Sequence, residues 1–106
     1  MFGFGGRVPQ ITAQQVEERL RGNNPPYILD VRTIGEFRGG HIPGAQLIPL
    51  GELARRVNEI PKDREIVTVC RSGSRSAMAA KQLQKAGFEV QNLAGGMMQW
   101  TGRTVR

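Results

Sequence analysis

Apolar residues along the chain fall in short clusters, and two spacings alternate. Ala13, Val16 and Leu20 recur at helical intervals behind Thr12, and Gln15 stands three residues beyond that threonine, the arrangement of a capping box. The spacing predicts a helix over 12–21, stopped by the turn composition of Gly22-Asn23-Asn24-Pro25-Pro26. Tyr27-Ile28-Leu29-Asp30-Val31 is then a short, mostly apolar run typical of a strand covered on both faces. The pattern returns at Gln46-Leu47-Ile48, at Ile66-Val67-Thr68-Val69 and at Val90-Gln91-Asn92-Leu93. Between the second and third of these runs, Leu53, Ala54, Val57 and Ile60 mark one helical face, closed by Pro61. After the third, Ala77, Ala80 and Leu83 mark another, ending near Gly87.

Strands alternating with helices imply right-handed crossovers and a mostly parallel sheet with helices on both sides. The fold class expected is therefore α/β. In open sheets of this kind the functional crevice lies beyond the carboxyl ends of the strands, and Cys70 ends the third run.

Composition narrows the chemistry. The 106 residues suit one domain, and no internal repeat or Pro/Ser linker divides them. One cysteine and one histidine, His41, exclude an internal disulfide and are too few for a zinc site, so no metal is expected. No apolar run approaches the roughly 20 residues of a bilayer span. Met1 to Gly6 lack the long apolar stretch and cleavage site of a secretory signal and are expected to be frayed; the cytoplasm is the expected location. Fifteen Lys and Arg against nine Asp and Glu give a net charge of +6. No basic run exceeds Arg55-Arg56, and aromatics make up only 6% of residues, so neither a phosphate-tracking stripe nor a base-stacking platform is present and no nucleic-acid partner is expected. One window stands out: between Glu65 and Glu89 there is no acid, while Arg71, Arg75, Lys81 and Lys85 all fall there.

Cys70 lies inside that window, where Val69-Cys70-Arg71-Ser72-Gly73-Ser74-Arg75-Ser76 runs from a buried strand directly into a helix. The helix N-terminus offers free N–H groups and the positive end of a dipole. Arg71 and Arg75 add charge, Gly73 allows successive N–H groups to turn inward as an anion-holding nest, and Ser72, Ser74 and Ser76 suit both turn formation and anion binding. Such surroundings bring a cysteine from about 8.5 into the range of roughly 3.5 to 7.5, so thiolate is the expected resting form.

Cys70 to Ser76 fits C-x-x-G-x-R-S, and in this the chain resembles the active-site loop of single-domain rhodanese-like sulfurtransferases. The resemblance extends over Asp30-Val31-Arg32, Glu36-Phe37, Gly40-His41-Ile42-Pro43-Gly44-Ala45, Gly87-Phe88, Leu93-Ala94-Gly95-Gly96 and Trp100, from about Ile11 to Trp100. It implies a three-layer α/β sandwich around a mostly parallel five-stranded sheet, whose first strand would be the segment around Val8 to Ile11. It also implies a mechanism. Cys70 attacks the outer sulfur of a donor such as thiosulfate, becomes a persulfide and passes the sulfur to cyanide, a thiol or a sulfur-carrier protein, with no cofactor. Arg71, Ser72, Gly73, Ser74, Arg75 and Ser76 would bind the anionic donor.

Two positions depart from the thiosulfate-using pattern: Ser72 stands where a basic residue is common, and Glu36 where arginine is common, leaving Arg71 and Arg75 as the expected charges at the donor site. Asp30, Arg32 and Glu36 read as a structural ion-pair set behind the crevice. His41 reads as a turn-fixing hydrogen bonder, and Met97, Met98 and Trp100 as packing on a short final helix. Two other functional classes compete. A cysteine phosphatase or arsenate reductase on the same fold would need one more residue between cysteine and arginine than the four here, Arg71 to Ser74. A rhodanese-like binding or sulfur-relay module serving one partner protein would be compatible with a retained cysteine.

Overall fold

The computed structural model describes residues 7–106, so the expectation of a frayed start falls outside the described residues. Five strands, β1 (Gln10–Ile11), β2 (Tyr27–Asp30), β3 (Gln46–Leu47), β4 (Ile66–Val69) and β5 (Val90–Leu93), form one sheet in the order β1-β5-β4-β2-β3. Every pairing is parallel. All the strands therefore deliver their carboxyl ends, and the loops that follow, to one edge of the molecule.

The central strands alternate between two apolar layers, as a period of two requires. Ile28, Val67, Val69 and Leu93 face one side with Ile11 and Ile42, where Val16 of helix α1 (Ala13–Leu20) covers them. Leu29, Ile66, Cys70 and Val90 face the other side, against Leu53 of helix α3 (Leu53–Arg56) and Ala79, Ala80 and Leu83 of helix α4 (Ser74–Lys85). Fully burying a leucine such as Leu53 or Leu83 contributes about 1.5 to 3 kcal/mol, which is what anchors these helices to the sheet. The expected three-layer α/β sandwich is the observed one.

Helix α1 begins on the capping box anticipated for it: the Thr12 hydroxyl accepts from the Gln15 N–H, and the Gln15 side chain accepts from the Thr12 N–H. Among the helices, pattern and structure differ in three places. The helical face of Leu53 to Ile60 is divided into a 3-10 turn at Leu50–Glu52, the four residues of α3 and a second 3-10 turn at Val57–Glu59. So short a helix has little cooperativity of its own, and burial of Leu53 and Ile60 holds it instead. Helix α2 (Ile34–Arg38), not expected, buries none of its residues and so has no apolar periodicity to display. Its signal is a second capping box, Thr33 with Glu36. The final helix is a 3-10 turn, Gly96–Gln99; Met97 and Trp100 pack on the α1 side as expected, but Met98 is exposed.

Candidate active site

Strand β4 carries Cys70 to the carboxyl edge of the sheet, and three residues later Gly73 turns the chain into α4 with φ of +106°, a conformation open to glycine. No side chain caps α4. The Cys70 sulfur takes that place: fully buried, it accepts the Gly73 N–H at 3.1 Å and lies 3.3 Å from the Ser76 hydroxyl oxygen. Burial pushes the thiol up, but hydrogen bonds from the Ser76 hydroxyl and from the backbone N–H groups of Ser76, Gly73 and Ser72 outweigh it, leaving Cys70 below the ordinary cysteine value. These bonds, rather than the arginine charges, lead the acidification. Arg71 and the side chains of Ser72 and Ser74 are exposed around the loop.

Arg75, expected to add charge near the sulfur, is itself paired. Its guanidinium forms a two-pronged pair with Glu36 of α2, at 2.8 and 2.9 Å. The carboxyl of Glu36 is thereby held down at about 2. The expected ion-pair set of Asp30, Arg32 and Glu36 accordingly splits in two. Asp30 and Arg32 pair with each other, Nε and a terminal nitrogen of Arg32 donating to the carboxylate, and the same terminal nitrogen reaches the Gly40 carbonyl at 2.8 Å. Glu36 belongs to Arg75. His41 does fix a turn: its Nδ1 lies 2.8 Å from the Phe37 carbonyl, which can only accept, and its ring stacks on that of Phe37.

Beneath the loop lie residues that pattern reading passed over. Asn92 on β5 is buried, and its amide nitrogen donates to the Gly73 carbonyl and to the Gln10 side chain. Its oxygen receives the Ser76 hydroxyl in a short hydrogen bond. Thr68, paired in register with Asn92, donates to the Ser76 carbonyl at 2.9 Å. The available signal is two polar residues, Thr68 and Asn92, at positions of these strands that face the interior, since such groups must find partners. Gly95-Gly96 also gains a physical role. The N–H groups of Met97 and Met98 donate to the Cys70 and Arg71 carbonyls, and a Cβ on Gly96 would sit 2.5 Å from both carbonyl oxygens.

A cavity of about 530 Å³ lined by Leu20, Pro25, Ile28, Arg64 and Trp100 lies toward the amino ends of β2 and β4, away from Cys70. Neither this hollow nor a larger one of about 770 Å³, lined by Gln10, Gln15, Arg19 and Gln91, includes a residue of the Cys70–Ser76 loop.

A parallel α/β sheet thus carries, at a helix N-terminus, a buried cysteine whose thiol is held below the ordinary value by the hydrogen bonds around it. The chain belongs to the rhodanese-like domain family, whose pattern matches residues 12–103. It is 38% identical to a sulfurtransferase of Allochromatium vinosum over 88% of each chain. It is 43% identical to the Bacillus subtilis protein named "Putative sulfur carrier protein YrkF" over 92% of its own length, but spans only about half (53%) of that relative. Among solved structures, a rhodanese-like domain protein from Staphylococcus aureus superposes with a TM-score of 0.85 at 34% identity, covering 91% of this chain and 93% of that one.

Proposed function

We propose that the chain is a sulfurtransferase in which Cys70 carries a sulfane sulfur as a persulfide, a finer statement than the sulfur-transfer role its family and sulfurtransferase-named relatives support. The observation that carries this reading is the Cys70 sulfur held between the Gly73 N–H and the Ser76 hydroxyl at the start of α4. In the first half-reaction the thiolate attacks the outer sulfur of thiosulfate. A new S–S bond forms, the old one breaks, and sulfite leaves with the electron pair. In the second, cyanide or a thiolate attacks the outer sulfur of the persulfide, and the Cys70 thiolate is the leaving group. Two half-reactions of this kind give ping-pong kinetics.

Loop N–H groups and the exposed Arg71 are the proposed donor contacts, with Ser72, Gly73, Ser74 and Ser76 shaping the cradle. Arg75 acts by tying the start of α4 to Glu36. A thiol-bearing or sulfur-carrying protein is the proposed cellular acceptor, and the cytoplasm, which keeps a lone thiol reduced, the proposed setting. No helix among the described residues is long and apolar enough to cross a membrane. The phosphatase reading is disfavoured by Arg75: in that chemistry the arginine must face the bound oxyanion, and here it is engaged by Glu36.

Intact-mass spectrometry of unreduced protein briefly exposed to thiosulfate tests this directly. A gain of about 32 Da, removed by cyanide or a thiol and absent in Cys70→Ser, is the expected result. A gain that persists in Cys70→Ser removes the nucleophile assignment, and no gain with thiosulfate removes it as the donor.

A further inference from the structure

The Ser76 hydroxyl has one proton and three acceptors around it: the Cys70 sulfur at 3.3 Å, the Gly73 carbonyl at 3.3 Å and, closest, the Asn92 side-chain oxygen. The orientation of the Asn92 amide follows from its other contacts. The Gly73 carbonyl can only accept, so the amide nitrogen must face it and the amide oxygen must face Ser76. We infer that Asn92 competes with Cys70 for the Ser76 proton, and is thereby a positioning residue that sets how readily the thiol ionises. This rests on reading Cys70 as the working nucleophile.

The two protonation states differ in who is satisfied. As a neutral thiol, Cys70 donates S–H to the Ser76 oxygen while Ser76 donates to Asn92, and every buried group in the chain of bonds has its partner. As a thiolate, Cys70 needs the Ser76 proton. If Ser76 turns to the sulfur, the buried Asn92 oxygen keeps only a long contact with Thr68 at 3.4 Å, and the Thr68 hydroxyl already serves the Ser76 carbonyl at 2.9 Å. A buried acceptor stripped of its donor is costly, so Asn92 draws the thiol back toward its protonated form. In the persulfide the charge moves to the outer sulfur, Ser76 returns to Asn92 and the conflict disappears. Asn92 thus favours the neutral thiol and the loaded persulfide over the bare thiolate.

The charged groups near the loop are Arg71, Arg75 on α4, Asp30 and Arg32 at the end of β2, and Glu36 on α2; the neighbours from β1 and the final 3-10 turn, Gln10, Met97 and Met98, are uncharged. None of the charged side chains hydrogen-bonds the Cys70 sulfur. Substitution at Asn92 leaves their charges in place, so a change in thiol ionisation reports the hydroxyl network.

The test is the pH dependence of alkylation by the neutral reagent iodoacetamide, with no sulfur donor present. Cys70 is the only cysteine, so the whole signal belongs to it. Asn92→Ala is expected to lower the thiol pKa by about one unit, equivalent to roughly tenfold more thiolate at a pH below the transition. Ser76→Ala raises the pKa, and the double variant titrates like Ser76→Ala alone, because Asn92 acts only through that hydroxyl. An unchanged or raised pKa in Asn92→Ala overturns the proposal, as does a downward shift that survives in the Ser76→Ala background. Should Asn92→Ala not fold, the S–H stretching band of the wild-type protein decides: a band lowered as for a hydrogen-bond donor is expected, and one at the free-thiol position overturns the assignment. A protein that titrates in this pattern yet never gains sulfur would sink the sulfurtransferase reading and leave Asn92 in its role.

Discussion

Glu36 and Arg75 are 39 residues apart and join α2 to the first turn of the helix whose start holds the Cys70 sulfur. Because Arg75 holds the Glu36 carboxyl down, the pair stabilises the fold fully above the ordinary value of 4.5, and that contribution is lost as pH falls through about 2. Both side chains are about a third exposed, so solvent screening keeps the contribution to about 1 kcal/mol or less. Melting temperatures of wild type and Glu36→Gln should therefore converge on acidification from pH 5 toward about 2, with wild type the more stable at pH 5; curves that stay parallel throughout would show that the pair contributes nothing. The same residues bear on the thiol. Hydrogen bonds lead its acidification, so Arg75→Ala should move the alkylation pKa less than Ser76→Ala does. A larger shift in Arg75→Ala would return the leading role to charge. Nothing local in the sequence could reveal this pairing, since each partner sits in a separate motif and only the fold brings them together.

At the scale of elements, legibility followed burial and length. β2, β4 and β5, each four residues and largely buried, could be read from their apolar runs, as could α1 from its capping box and stripe. β1, at two residues, can be placed only by resemblance, and β2 and β3 each stop one residue short of the run that marks them, Val31 bonding to the Val69 carbonyl and Ile48 to the Asp30 carbonyl just past the strands. α2 escaped because a helix with no buried residue has no stripe to read. The Cys70 loop was legible because its chemistry is contiguous; its support was not, because Asn92, Thr68 and Gly96 come from other strands and turns. Gly96 offers the sharpest test of that support. With φ of +61° and two carbonyl oxygens 2.5 Å from where a Cβ would stand, Gly96→Ala must push the final 3-10 turn away from the loop. A loss of about 1 to 3 kcal/mol in urea unfolding is expected, together with slower alkylation of Cys70 as its carbonyl loses the Met97 N–H. Stability within a few tenths of wild type would mean that the two segments are not held in contact.

Across the whole molecule, the field at the carboxyl edge is set by what remains after pairing. Asp30 cancels Arg32, and Glu36 cancels Arg75, leaving the exposed Arg71 at the carboxyl edge, while Lys81 and Lys85 of the stretch without acids between Glu65 and Glu89 lie farther along α4. The parallel sheet delivers the thiol to the head of that stretch, and the +6 excess of the chain adds a general pull on anions. An anionic sulfur donor should therefore arrive faster than a neutral one of equal reactivity, and the difference should fade as salt shortens the screening length to about 10 Å at 0.1 M and about 3 Å at 1 M. Iodoacetate and iodoacetamide separate this effect from reactivity, since both meet the same thiolate. Their rate ratio at Cys70 should fall several-fold between low and high salt, with the iodoacetamide rate nearly constant, and Arg71→Ala should flatten the dependence. If the ratio is insensitive to salt, the basic window is a solvated surface without influence on encounter, and selection of the donor rests on the N–H groups of the loop.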